Sequence, residues 1–215
     1  MTRLLLLQND AAIGEQLRLM IAEMPDMAVS GLTVTLSQAL RSMQICPPEL
    51  VLLDLQVSRS DREGLLEELA SMPRESRPAV LVGALSLEDP ALMEAISRGA
   101  DGYYLHGGSA QTLLDAIAQV LAGESPMAPA IAREAKSRFD SPAWEGLGIA
   151  DDTRDALRLS EAQQCMLERI GEGSLPHEIA RELQTTEHDV GLSIRTLYRK
   201  LQLDRRAASM AGQAS

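Results

Sequence analysis

Five short apolar runs, each followed by a stretch with helical spacing, fill the first 123 residues, and this alternation constrains the fold more than any other feature. Residues 4–7, 29–34, 50–55, 79–85 and 102–105 have the length and apolar density of buried parallel strands. Residues 11–23, 35–44, 61–72, 89–98 and 109–122 place apolar side chains at helical intervals. A strand–helix rhythm repeated five times predicts a doubly wound α/β domain with a five-stranded parallel sheet. Its site is expected at the carboxyl ends of the strands.

The rhythm stops after residue 123. Pro126, Pro129, Pro142, Gly146 and Gly148 interrupt residues 124–155, where only 130–139 has helical spacing. This reads as a linker with one helix. It holds the sole Phe (Phe139) and the sole Trp (Trp144), which either dock on a domain or stay as surface aromatics. Beyond it, residues 174–201 read as two helices joined by a polar turn. Ile179, Ala180 and Leu183 form one apolar stripe, Gln184-Thr185-Thr186 breaks it, and Val190, Ile194, Leu197, Tyr198 and Leu201 form the next. The second helix turns His188, Ser193, Arg195, Thr196, Arg199 and Lys200 to its other face. This is the layout of a DNA-reading helix-turn-helix. Helical pattern alone fits a merely structural αα-hairpin equally well.

A net charge of −11 at first argues against a nucleic-acid partner. Its distribution reverses the argument: from Ala156 onward eight Arg and Lys face eight Asp and Glu, so the whole deficit lies earlier. A neutral segment with cations gathered at 195–206 can still grip phosphate, with modest affinity. No window approaches the ~18 apolar residues of a membrane span, and Gln8-Asn9-Asp10 ends the first apolar run too soon for a leader peptide. Cys46 and Cys165 have no metal-ligand spacing and read as free thiols of a reducing cytoplasm. No nucleophile–base set, Gly-rich phosphate loop or metal cluster is visible, so neither an enzyme nor a bound cofactor is expected.

Two sets of residues carry a family resemblance. Leu159-Ser160, Glu178-Ile179-Ala180-Arg181 and Arg199-Lys200-Leu201 resemble the C-terminal effector domain of LuxR/NarL-type transcription regulators. Leu52-Leu53-Asp54-Leu55 and residues 99–105 resemble the receiver domain of response regulators. The resemblance implies a flavodoxin-like receiver over 1–123, a linker over 124–155 and a helix-turn-helix domain over 156–215.

It also supplies a pocket with strict chemical needs. A working receiver holds Mg²⁺ with two adjacent acids after the first strand and an acceptor aspartate. A hydroxyl ending the fourth strand and a lysine ending the fifth bind the phosphoryl group. Here those positions fall on Gln8 and Asn9, on Asp54, on Ala84 and on His106. Asp10, one place late, is a single displaced acid. Tyr103 stands at the aromatic switch position, and reads equally well as a half-buried strand tyrosine. The polar segment 57–62 is longer than the family's loop after the acceptor. The acceptor-like Asp54 alone survives, with His106 read as uncharged at neutral pH, so ordinary phosphorylation is not expected.

In the effector domain, the resemblance places Gly191, Leu192 and Arg195 toward bases. Arg195 is the candidate for bidentate contact with guanine and Leu192 for a thymine methyl. Arg199 and Lys200 fall to the phosphate backbone. His188 and Ser193 are secondary contacts or solvated surface. Gly191 stands where relatives often carry lysine, Asp189 repels phosphate unless it caps the helix, and Gln184 replaces the turn's common glycine. The expected function is a transcription regulator that acts without aspartyl phosphorylation and binds double-stranded DNA as a homodimer, because one short helix reads too few base pairs. The alternative is an interaction protein that sequesters a partner regulator or kinase without productive DNA binding.

Overall fold

The computed structural model describes residues 1–142 and 151–213, with side chains through residue 210. Trp144, Gly146 and Gly148 lie outside the described residues. The chain divides into two compact units, Met1–Leu121 and Ala122–Ser215.

The first unit runs β1 (Thr2–Leu7), α1 (Ala11–Ala22), β2 (Met27–Thr33), α2 (Leu36–Ile45), β3 (Leu50–Asp54), α3 (Arg59–Ser71), β4 (Ala79–Ala84), α4 (Pro90–Arg98), β5 (Gly102–Leu105) and α5 (Ala110–Leu121). Its five strands lie in the order β2-β1-β3-β4-β5, every neighbouring pair parallel. That is the flavodoxin-like doubly wound sheet. Alternation along the strands splits the core. Leu4, Leu6, Leu50, Leu52 and Leu81 pack with Leu17, Ile21, Leu113, Ile117 and Val120 of α1 and α5. Leu5, Leu7, Val51 and Leu53 turn the other way and are fully buried too. An almost purely aliphatic core suffices because both faces of the sheet are covered.

One local reading changes. Residues 57–62 are not an extended loop, since α3 begins at Arg59. Ser58 caps it by accepting the Asp61 N–H at 3.2 Å, and Asp61 favours the helix's positive end.

The second unit is helical: α6 (Pro129–Asp140), α7 (Asp151–Leu157), α8 (Glu161–Glu172), α9 (Pro176–Glu182) and α10 (Glu187–Gln213). α6 packs on α8, and α10 packs on α6, α7 and α9. Residues 151–155 fall within the expected linker, but Asp151 and Asp152 open a helix there that runs on to Leu157. α10 runs on past Leu201, through Ala-rich 207–212 to Gln213. Ser160 and Gln163 form a capping box on α8, and Arg169 of α8 meets Glu182 of α9 at 2.6 Å. Among the described residues no helix is long and apolar enough to cross a membrane.

Candidate functional site

The carboxyl end of the first unit's sheet gathers the residues that stand at the receiver-pocket positions. Asp54 ends β3 and is only 3% exposed. Its Oδ1 lies 3.2 Å from His106 Nε2 and accepts the Gln56 N–H at 2.9 Å. Burial works against the charge, but the His106 and Gln56 bonds outweigh it and hold the carboxyl below its ordinary range. Gln8 is buried, and its side chain also lies against Asp54. Its Oε1 accepts the Asp10 N–H at 3.0 Å, while its Nε2 finds no well-aligned acceptor. Asn9 Nδ2 donates to the Gln56 carbonyl at 3.0 Å, tying the loop after β1 to the loop after β3.

Two neighbours make the Asp54–His106 contact fit. A Cβ on Gly83, the ladder partner of Asp54, would sit 2.7 Å from Tyr104 Oη and 2.9 Å from His106 Nε2. Tyr104 meets the His106 ring edge-on, centroids 5.3 Å apart, and burial followed by the Asp54 charge raises its phenol well above the usual range. Tyr103 is buried on β5. Ala84 is fully buried and offers only its carbonyl, to the His106 N–H at 2.9 Å.

These residues do not fit Mg²⁺. A hard octahedral cation needs several anionic oxygens, and Gln8 and Asn9 are neutral amides. Asp10 is spent elsewhere: its Oδ1 caps α1 by accepting the Ala12 and Ile13 N–H groups at 2.8 and 3.2 Å. Asp54 itself already faces the His106 ring nitrogen at 3.2 Å.

The second candidate region is α10. Thr186 and Asp189 close a reciprocal cap, with Asp189 N–H to Thr186 Oγ1 at 3.1 Å and Thr186 N–H to Asp189 Oδ2 at 3.2 Å. The Thr186 and Thr185 hydroxyls also donate to that carboxylate and hold its pKa down. Asp189 is therefore a helix cap, which resolves the question that its charge raised. Gln184 takes φ +53°, so the turn keeps a left-handed residue where glycine is usual, at a cost of roughly 1 kcal/mol. Val190, Ile194, Leu197, Tyr198 and Leu201 are buried in the unit's core.

No family model matches the chain. The chain is 26% identical over 203 residues to the nitrate/nitrite response regulator protein NarL of Escherichia coli, covering 94% of this chain and 90% of that protein. It is 24% identical over 208 residues to the DNA-binding transcriptional activator DevR/DosR of Mycobacterium tuberculosis, covering 96% and 91%. Among solved structures, the response regulator ChrA of a heme-sensing two-component system superposes with TM-score 0.51 at 20% identity, covering 99% of this chain and 97% of that one. RcsB, in a structure of two dimers bound to two parallel DNAs, superposes with TM-score 0.53 at 14% identity, covering 96% and 98%. The chain is a homologue of the NarL/LuxR-type response regulators.

In this response regulator homologue, the residues expected at DNA differ in exposure. Leu192, Thr196 and Arg199 are exposed, and Ser193 and Arg195 are half-buried. Thr196 returns its hydroxyl to the Leu192 carbonyl at 3.1 Å. His188 and Lys200 are engaged within the unit: His188 Nδ1 lies 2.6 Å from Glu124 Oε1, and Lys200 Nζ donates to the Arg158 carbonyl. Burial lowers the Lys200 pKa. Sequence reasoning missed Glu124, Gly83 and Tyr104. Period-two alternation along β5 puts Tyr104 on the face that leads to His106, a signal that was present. Glu124 left none, because its partner lies 64 residues away.

Proposed function

We propose that this chain is a cytoplasmic, DNA-binding transcription regulator whose receiver unit works without aspartyl phosphorylation. The observation that carries this reading is the pairing of buried Asp54 with His106 in the first unit, together with, in the second, an α9–turn–α10 element with Leu192, Thr196 and Arg199 exposed. Attack on an incoming phosphoryl group needs a reachable carboxylate and a cation to draw off charge. Asp54 is neither reachable nor accompanied by a metal-binding acid. Homology to DNA-binding transcriptional regulators supports the DNA reading, and a single reading helix gains specificity by acting in a symmetric pair on two half-sites. Arg195 is assigned to guanine, Leu192 to a thymine methyl and Arg199 to the phosphate backbone.

The test is anisotropy of the full chain with labelled duplex. At low salt it should bind random sequence weakly, with an affinity that falls steeply as salt rises. On a selected site, Arg195→Ala should relax sequence preference, whereas Arg199→Ala should weaken all sequences together. Absence of binding at low salt by protein with a native circular dichroism spectrum would move the assignment to a partner-sequestering interaction protein.

A further inference from the structure

The segment that leads into α6 lies along the side of α10 assigned to bases. Glu124 Oε1 is 2.6 Å from His188 Nδ1. The Ser125 N–H donates to the Gly191 carbonyl at 3.1 Å, and the Tyr198 hydroxyl donates to the Pro126 carbonyl at 2.6 Å. Gly123 lies beside the Leu192 side chain. Ser125 is 2% exposed, so this is a packed contact rather than a passing one. His188, Gly191 and Arg195 follow one another at i, i+3 and i+7, a single stripe of the helix, and Tyr198, whose ring lies in the core, reaches the end of the segment with its hydroxyl alone. Arg195, the residue assigned to guanine, ends that stripe and is half-buried.

Gly191 is what allows the segment so close. A Cβ at that position would lie 2.8 Å from Glu124 Oε2 and 2.9 Å from both its Cβ and Cγ. Glu124 Cβ cannot swing clear as a side-chain tip can, so any larger residue at 191 displaces the backbone there. The missing side chain of Gly191 is therefore replaced, in the same space, by a carboxylate from another part of the chain.

We infer that residues 123–126 are an anionic strap that occupies the base-facing stripe of α10 and must leave before the helix enters DNA. A helix with its side chains is about 10–12 Å across and the major groove about 12 Å wide, so the groove has no room for helix and strap together. The Glu124 carboxylate, fixed on that face, also repels phosphate and holds His188 in the way a phosphate oxygen would. DNA and strap compete for one surface, and the apparent affinity is reduced by the fraction of molecules with the strap in place. This rests on the DNA-binding reading above.

Two measurements on the full chain test the strap. The first is anisotropy with labelled random-sequence duplex at low salt. Glu124→Gln should tighten binding about three-fold, by weakening the His188 contact and removing a charge. Gly191→Ala should tighten it about ten-fold by evicting the strap. Wild-type affinity in both variants, or weaker binding, would overturn the strap while leaving DNA binding intact. The second is hydrogen exchange at the Ser125 amide. It should be protected in the free protein, exchange faster in Gly191→Ala without DNA, and lose protection when saturating duplex is added to wild type. Protection retained in the DNA complex, or unchanged in Gly191→Ala, would overturn it. Failure of all three folded proteins to bind any duplex would remove both the strap and the DNA reading.

Discussion

The pocket at the end of β3 and the His188 side of α10 answer the same problem in different surroundings. Each holds a carboxylate beside a histidine, Asp54 with His106 at 3.2 Å and Glu124 with His188 at 2.6 Å. In the first pair the side chains are 2% and 10% exposed; in the second, Glu124 is 20% and His188 56% exposed. An anion buried that deeply cannot lose its partner cheaply, because separation leaves an uncompensated charge out of water. A pair with one side in solvent separates at little cost, since water takes the partner's place. The same chemistry makes a permanent core in one unit and a displaceable contact in the other.

The widest gap between the regions is in what an outside ligand can do. Acetyl phosphate with Mg²⁺ should leave the intact mass of the protein unchanged, since Asp54 is sealed by its own partners. A phosphate adduct that disappears in Asp54→Asn would break the comparison outright.

Stability should separate the two histidines next. His106→Ala should destabilise the first unit by about 3 kcal/mol, whereas His188→Ala should change the second by no more than about 0.5 kcal/mol. Global unfolding mixes the two units, so hydrogen exchange of core amides in each is the proper readout. Equal effects would show that burial is not the deciding variable. The Asp54 pair also has a pH signature. Its folded pKa is depressed, so its contribution is present above the unfolded carboxylate value of about 4 and is lost as pH falls through the lower folded value. Acid titration of the first unit should therefore flatten in that window in Asp54→Asn, and an unaltered titration would count against the assigned depression.

Tyr198→Phe should fall between the two histidine variants. It removes the hydroxyl bond to Pro126 and should cost about 1 kcal/mol in the second unit by the same exchange method. A neutral result would mean that packing of the ring, and not the hydroxyl, holds the contact.

Much of this protein was legible in its residue order. The strand–helix rhythm of residues 1–123 determined a parallel doubly wound sheet, because buried strands must be continuously apolar and the connecting helices amphipathic. The turn chemistry of Gln184-Thr185-Thr186 placed the helix break, because capping acts over three or four residues. The absent acids at Gln8 and Asn9 could be read once the strand ends were located. What the order of residues could not supply were contacts between distant segments. That Asp10 caps α1 could have been suspected locally. That Gly83 clears a path from His106 to Asp54, that Lys200 turns to Arg158, and that Glu124 fills the space over Gly191 depended on packing of the whole unit. Local preference acts within a turn of helix, while a carboxylate finds its partner only after the chain has folded the two together, and that final placement decides which charges meet solvent.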